Sequence, residues 1–122
     1  MATVLVVEDE AVLIVLAESV IRSAGYETLT ASTLSQAQAV IGSAEHIDLV
    51  VTDIRLGDDE EAGIHVGQTV RQLRSKTPVL YTSGFNLTDG LKELFVDNSE
   101  FLAKPYTDHQ LIEAIAKLLR DK

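Results

Sequence analysis

The sequence lacks cysteine entirely and contains only two prolines among 122 residues. Without cysteine, disulfide bonds, thiolate metal sites and cysteine nucleophiles are all excluded. No apolar run approaches the roughly 20 residues of a membrane span, and the N-terminus lacks the basic flank of a secretory signal. These absences fit a reducing compartment, and we expect a cytoplasmic protein without a membrane segment.

Basic residues are scarce, because ten Lys and Arg stand against nineteen Asp and Glu, giving a formal net charge of −9. This charge repels a phosphate backbone, so direct nucleic-acid binding is not expected. The apolar fraction of 46% is enough for a packed core, and the length fits one domain. No repeat or linker-like stretch interrupts the chain, so we expect a single domain over residues 1–122.

Short apolar runs rich in β-branched residues alternate with segments of helical spacing. Residues 4–7, 47–52 and 78–82 are typical of strands buried on both faces, and residues 26–31 and 100–103 are weaker strands. Helical spacing appears over residues 13–24, 37–41 and 66–73, and a final amphipathic helix begins near Asp108, its predicted N-cap. A fourth helix over residues 87–95 has Thr88 as its cap but contains Gly90, so we expect it to be short. Five βα units predict an α/β fold with a mostly parallel sheet and helices on both faces.

Polar residues collect where the predicted strands end. Glu8 and Asp9 follow the first strand, and Asp53 ends the third. Ser83 follows the fourth strand, and Lys104 follows the fifth. Because ligands bind outside the carboxyl ends of parallel strands, we expect these side chains to converge on one rim of the sheet.

Crowded carboxylates are costly unless a cation offsets their charge, and carboxylate oxygens are ligands that Mg²⁺ or Mn²⁺ prefers. A zinc or copper site is poorly supported, because the histidines lie in three separate segments. They are His46, His65 and His109. A carboxylate at the centre of such a site can attack a phosphoryl group, and Asp53 is placed for that role, with Ser83 and Lys104 binding the transferred oxygens.

Four separated motifs carry a family resemblance: LVVEDE at residues 5–10, DLVVTDIRL at 48–56, PVLYTSG at 78–84 and FLAKPY at 101–106. On these motifs the chain resembles the receiver domain of bacterial two-component response regulators along essentially its whole length. The resemblance implies a flavodoxin-like (βα)5 fold with strand order 2-1-3-4-5.

The resemblance also implies a role for each residue of the rim. Asp53 is the phosphoacceptor, and Glu8 and Asp9 help to position Mg²⁺ together with it. The main-chain carbonyl of Arg55, two residues after the acceptor, also contacts the metal. Lys104 matches the family's lysine, and the peptide bond that follows it is expected to be cis.

The resemblance also implies a conformational switch. The phosphoryl group draws Ser83 inward, Phe101 follows into the vacated space, and the face formed by helix 4, strand 5 and helix 5 changes. Partners then bind that face, for which the candidate contacts are Leu91, Leu94 and Tyr106.

One departure from the family pattern lies beside the acceptor. Leu56 is followed by GDDEEA before Gly63, which makes this loop about two residues longer than is usual in receivers. The acidic loop 57–62 is expected to be solvated rather than to supply further metal ligands. Its effect on the lifetime of the phosphoryl group is left open.

The expected phosphodonor is a sensor histidine kinase or a histidine phosphotransfer protein. The signal passes to a downstream protein target or an output domain, and a phosphorylation-dependent homodimer is one option. Apart from its own phosphorylation and slow dephosphorylation, the chain is not expected to be an enzyme. Two alternatives remain: a Mg²⁺-dependent phosphohydrolase, which usually has a second acid where this chain has Arg55, and a receiver that acts only as a binding scaffold.

Overall fold

Five parallel strands form one sheet in the computed structural model, which describes residues 1–84 and 87–120. The strands are β1 (Thr3–Val7), β2 (Glu27–Ala31), β3 (Leu49–Asp53), β4 (Val79–Ser83) and β5 (Ser99–Ala103). Their order across the sheet is β2-β1-β3-β4-β5. This confirms the predicted α/β fold and its flavodoxin-like strand order.

A helix follows each strand along the chain, as right-handed crossovers between parallel strands require. The helices are α1 (Ala11–Ser23), α2 (Leu34–Ile41), α3 (Ala62–Leu73), α4 (Asp89–Lys92) and α5 (Asp108–Arg120). Within residues 1–84 and 87–120, every helix is too short or too polar to cross a bilayer.

An apolar cluster lies on each face of the sheet. One face packs on α2 and α3 and includes Val50 and Tyr81, whereas the other packs on α1 and α5 and includes Leu49 and Leu80. Leu49 and Val50 are consecutive and both fully buried, so β3 is covered on both faces. This double cover explains why the sequence of β3 is a continuous apolar run rather than an alternating one.

Helix α4 is shorter than the predicted window of residues 87–95. Thr88 is its N-cap, as predicted, and its side chain accepts a hydrogen bond from the amide of Leu91. The helix has only four residues, none of them buried, and Gly90 is one of them. Little packing therefore offsets the intrinsic cost of glycine in this helix.

The start of α5 corrects one prediction. Asp108 is the first residue of the helix rather than its N-cap. The cap is Thr107, whose hydroxyl accepts a hydrogen bond from the amide of Gln110 at 3.1 Å. The side-chain carbonyl of Gln110 in turn accepts from the Thr107 amide at 2.8 Å. This reciprocal pair is a capping box, in which each side chain satisfies one backbone amide of the first turn.

The sheet topology fixes where a site can form. Strands β1 and β3 are neighbours, and the chain continues from them to opposite edges of the sheet. Val7 lies beside Thr52, and Asp53 lies beside Thr82. The residues that follow β1, β3 and β4 therefore meet at the switch point, where open α/β sheets bind ligands.

Candidate functional site

Three carboxylates meet at the carboxyl ends of β1 and β3. Glu8, Asp9 and Asp53 each offer one oxygen, and these oxygens all lie within 4.8 Å of one another. Glu8 is buried, Asp53 is half-buried and Asp9 is exposed. This set of oxygens fits a hard divalent cation, which prefers carboxylate ligands and keeps some of its waters.

Lys104, which follows β5, bridges two of these carboxylates. Its Nζ donates to Glu8 Oε1 at 2.9 Å and to Asp53 Oδ2 at 3.0 Å. The other oxygen of Glu8, Oε2, accepts from the amides of Asp9 and Glu10. Glu8 is thus held at both oxygens, and the rim carries an ammonium beside Asp53, as the sequence predicts.

Burial sets the electrostatics of the site. Burial raises the pKa of Glu8 and that of Asp53, although the hydrogen bonds from Lys104 act to lower both. Burial acts to lower the pKa of Lys104, but its bonds to the two carboxylates outweigh this and raise the pKa to about 12. The hydrogen bond with Glu8 lowers the pKa of the more exposed Asp9. The site therefore holds more negative charge than one ammonium offsets, and a cation is favoured there.

The acidic loop is tied to this cluster through its backbone. Gly57 has a positive φ of 60°, a conformation that favours glycine. Its amide donates to Asp9 Oδ2 at 3.0 Å. The four acidic side chains that follow are all exposed: Asp58, Asp59, Glu60 and Glu61. As predicted, the acidic run is a solvated segment, and it lies outside the group of carboxylates that can hold a metal.

Gly63, near the start of α3, sets how closely this helix packs against Asp53. A Cβ at this position would overlap the backbone of Asp53 and Ile54. The Gly63 amide donates to the Ile54 carbonyl at 2.8 Å. Only glycine therefore allows α3 to begin directly against the end of β3.

Arg55 lies two residues after Asp53 in the chain, and Ser83 ends β4, the strand beside β3. Ser83 is buried at the end of β4, and its carbonyl accepts from the amide of Lys104 at 2.8 Å. Arg55 is exposed, and its Nε donates to the Gly57 carbonyl at 3.2 Å. The Lys104–Pro105 peptide bond is cis, as the resemblance implies. The structure thus brings the predicted residues to one rim, and their individual roles stay predictions.

Phe101 is 37% exposed on β5 and stacks on a ring that the sequence did not single out. That ring is Phe95, which in turn stacks on the buried Tyr81 of β4. Neither Phe95 nor Tyr81 has a local sequence signal for this contact, although Gly67 of α3 leaves room for the Tyr81 hydroxyl. A Cβ at Gly67 would overlap the Tyr81 hydroxyl.

Two faces beside the site expose apolar side chains. On α1, Val12, Val15 and Leu16 are 69%, 63% and 56% exposed. Of the candidate partner contacts, Leu94 is exposed, whereas Leu91 and Tyr106 pack against the core. The predicted partner-binding face is therefore less apolar than its sequence suggests.

The chain is similar in sequence and fold to known proteins along nearly its whole length. The family model described as response regulator receiver domain matches residues 4–116. The transcriptional regulatory protein BasR of Escherichia coli K12 is 32% identical over 118 residues, which cover 96% of this chain and 52% of BasR. The chain spans about half the length of the curated relatives it matches.

Solved structures show the same fold. A response regulator receiver protein from Sinorhizobium medicae superposes with a TM-score of 0.88 at 34% identity, covering 98% of this chain and 94% of that one. The receiver domain of the hybrid histidine kinase CckA superposes with a TM-score of 0.80 at 26% identity, covering 97% and 99% of the two chains.

Proposed function

Because the chain belongs to the response regulator receiver domain family, we propose that it accepts a phosphoryl group on Asp53 and signals through the resulting change in conformation. The proposal treats residues 1–122 as one receiver domain of a bacterial two-component system. The phosphodonor is a sensor histidine kinase or a histidine phosphotransfer protein. The observation that carries the proposal is Asp53 in contact with Lys104, within the cluster of three carboxylates.

In the proposed reaction, a carboxylate oxygen of Asp53 attacks the phosphorus of the donor. The new P–O bond forms as the bond between phosphorus and the donor's histidine nitrogen breaks, and that nitrogen keeps the electron pair. Lys104 is close enough to pair with a transferred oxygen, and the Ser83 hydroxyl donates to another. Hydrolysis of the acyl phosphate later returns Asp53 to its carboxylate form.

Mg²⁺ is the proposed cofactor, and Mn²⁺ is an alternative of the same chemistry. Glu8, Asp9 and Asp53 would hold it, together with the main-chain carbonyl of Arg55. A cation bound there supplies positive charge to the phosphoryl oxygens during transfer. The fit rests on the oxygen-only donor set and on the excess negative charge of the rim.

The two alternatives explain less of the geometry. A phosphohydrolase of the aspartyl-phosphate kind needs a second acid two residues after the nucleophile, but that residue is Arg55, whose side chain is turned to the Gly57 carbonyl. A scaffold without phosphoryl chemistry does not explain the partly buried cluster of Glu8, Lys104 and Asp53, since charges removed from water are weak evidence for a role in stability.

The downstream step is also a proposal. BasR and CtrA, which the chain resembles over about half of their lengths, are described as transcriptional regulators. A receiver with a net charge of −9 would act on such outputs through protein contacts, because its charge opposes DNA. The proposed contact face is that of α4, β5 and α5, and a homodimer formed on phosphorylation is one form of output.

Intact mass after incubation with acetyl phosphate and Mg²⁺ tests the chemistry. We expect one added phosphoryl group in the wild type, none in Asp53→Asn and none when EDTA replaces Mg²⁺. Asp58→Asn, in the exposed loop next to the site, is the matched control and should be labelled like the wild type. A wild type that neither gains mass nor releases phosphate would favour the scaffold.

A further inference from the structure

Three aromatic rings form a stack beside the end of β4. The Tyr81 and Phe95 rings lie with centroids 4.2 Å apart and 12° between their planes. Phe95 and Phe101 follow at 6.2 Å and 26°. Phe101 is also the direct neighbour of Tyr81 in the sheet register. Since side chains alternate along a strand, Tyr81 and Ser83 point to the same face, two residues apart.

The Tyr81 hydroxyl also makes a polar contact with the segment between α4 and β5. It accepts a hydrogen bond from the amide of Val96 at 3.2 Å. The residue after Val96 is held separately, because Arg71 of α3 donates to both the carbonyl and the carboxylate of Asp97. Gly67 leaves the space that the hydroxyl occupies. The ring of Tyr81 is fully buried, so its position is fixed by the core.

Few other contacts hold the segment of residues 93–96: Phe95 and Val96 pack against the core, and the Ser99 hydroxyl donates to the Val96 carbonyl at 2.6 Å. Helix α4 is four residues long and buries none of them. Regions with few buried contacts open locally at low free-energy cost. The Tyr81 hydrogen bond and the ring stack join residues 93–96 directly to β4, so losing the hydrogen bond should loosen this segment.

We propose that Tyr81 acts as a latch. Its hydrogen bond to the Val96 amide holds the segment between α4 and β5 against β4, and this bond is released when Ser83 is drawn toward a phosphoryl group. Ser83 and Tyr81 share one strand and one face, so a shift of the strand end reaches the hydroxyl directly. Phe95 stacks on both other rings, so release of this segment also frees Phe101 from its present stack. Release of the hydrogen bond by a phosphoryl group, the release step, rests on the proposed function. Holding of the segment in the unphosphorylated chain, the holding step, does not.

Amide hydrogen exchange of the full chain, read by NMR, tests the holding step without any ligand. In Tyr81→Phe we expect the Val96 amide to exchange roughly 2 to 10 times faster than in the wild type, the effect of losing one hydrogen bond. Tyr26→Phe is the matched control, because Tyr26 is half-buried on the opposite face of the sheet. Equal Val96 exchange in Tyr81→Phe and the wild type, or an equal rise in Tyr26→Phe, overturns the latch.

Beryllium fluoride with Mg²⁺, a mimic of the phosphoryl group, tests the release step. We expect Val96 exchange to rise in the wild type and to rise by a smaller factor in Tyr81→Phe, where the latch is already open. Chemical-shift changes around Asp53 without a change at Val96 overturn the release step. No shift change around Asp53 overturns the proposed function and the release step together, while the ligand-free comparison still decides whether Tyr81 holds the segment.

Gly67→Ala gives an independent route to the same displacement. The added methyl group overlaps the Tyr81 hydroxyl, so Val96 exchange should rise without any change in Tyr81 itself. In the double variant with Tyr81→Phe the effect should be smaller than the product of the two single effects, because both act on one contact. If the two single effects on Val96 exchange multiply in the double variant, the two substitutions act independently and the shared latch is contradicted. If Gly67→Ala does not fold, the comparison of the two tyrosine variants decides alone.

Discussion

Replacing Lys104 with methionine tests the electrostatics of the site quantitatively. The ammonium lies 2.9 Å from Glu8 and 3.0 Å from Asp53, and the lysine side chain is 23% exposed. Its pKa rises from 10.5 to about 12 in the folded protein, which corresponds to roughly 2 kcal/mol of folding free energy. Methionine keeps much of the volume but no charge. We therefore expect the free energy of unfolding at pH 7 in EDTA to fall by about 2 kcal/mol.

The loss of unfolding free energy in Lys104→Met should become smaller as the pH falls. Burial raises the pKa values of Glu8 and Asp53, so these groups take up protons at a higher pH than ordinary carboxyls do. Once protonated they no longer pair with Lys104, and the difference between wild type and variant narrows as the pH falls through the raised pKa values. On the alkaline side, the contribution of Lys104 is complete below 10.5 and is lost as the pH rises through about 12.

Urea unfolding at pH 7 and at pH 4, followed by circular dichroism, measures both effects. Lys117→Met is the matched control, because Lys117 pairs with Glu100 at 2.7 Å but their side chains are 55% and 41% exposed. An exposed pair of this kind contributes about 0–1 kcal/mol. A loss in Lys104→Met no greater than in this control, or a loss that is the same at both pH values, would refute the reasoning.

Four further variants test the packing beside Asp53, the N-cap of α5 and the charge of Asp53 itself. Gly63→Ala should lower the free energy of unfolding by about 1–3 kcal/mol and slow labelling by acetyl phosphate, because its methyl group overlaps the backbone of Asp53 and Ile54; unchanged labelling would contradict this. Thr107→Ala should cost about 1 kcal/mol in urea unfolding, and adding Gln110→Ala should cost little more if the two form one capping box. Asp53→Asn should raise the free energy of unfolding at pH 7 in EDTA, since it removes a charge that burial disfavours. This gain in unfolding free energy should disappear as the pH falls through the raised pKa of Asp53. A gain that persists at low pH would contradict the reasoning.

The sheet and the site could be predicted because both depend on the strands. The runs that form β1, β3 and β4 are apolar on both faces, and each predicted boundary lies within two residues of the observed one. The chemistry then follows from topology, since parallel strands that end together bring their next residues together. The sequence therefore predicts Glu8, Asp53 and Lys104 at one rim, where the structure has them in contact.

What the sequence does not predict depends on which faces meet. Val12 and Val15 are apolar and helical in spacing, yet both are exposed, because periodicity shows where apolar side chains lie but not whether another element covers them. The contact of Phe95 with Tyr81 joins the segment after α4 to a strand residue 14 positions earlier. Neither residue has a local signal for that contact, since it depends on the path of the chain after α4.

The longer acidic loop shows why a departure in sequence need not disturb the site. Leu56 and Asp59 exchange both backbone hydrogen bonds, at 3.0 and 3.1 Å, so the additional residues close on themselves as a turn. Lengthening such a surface turn costs little free energy. Leu56 stays buried and Gly63 still packs against Asp53, so both ends of the loop are fixed by the core. The extra length therefore changes the charge beside the site rather than the position of Asp53.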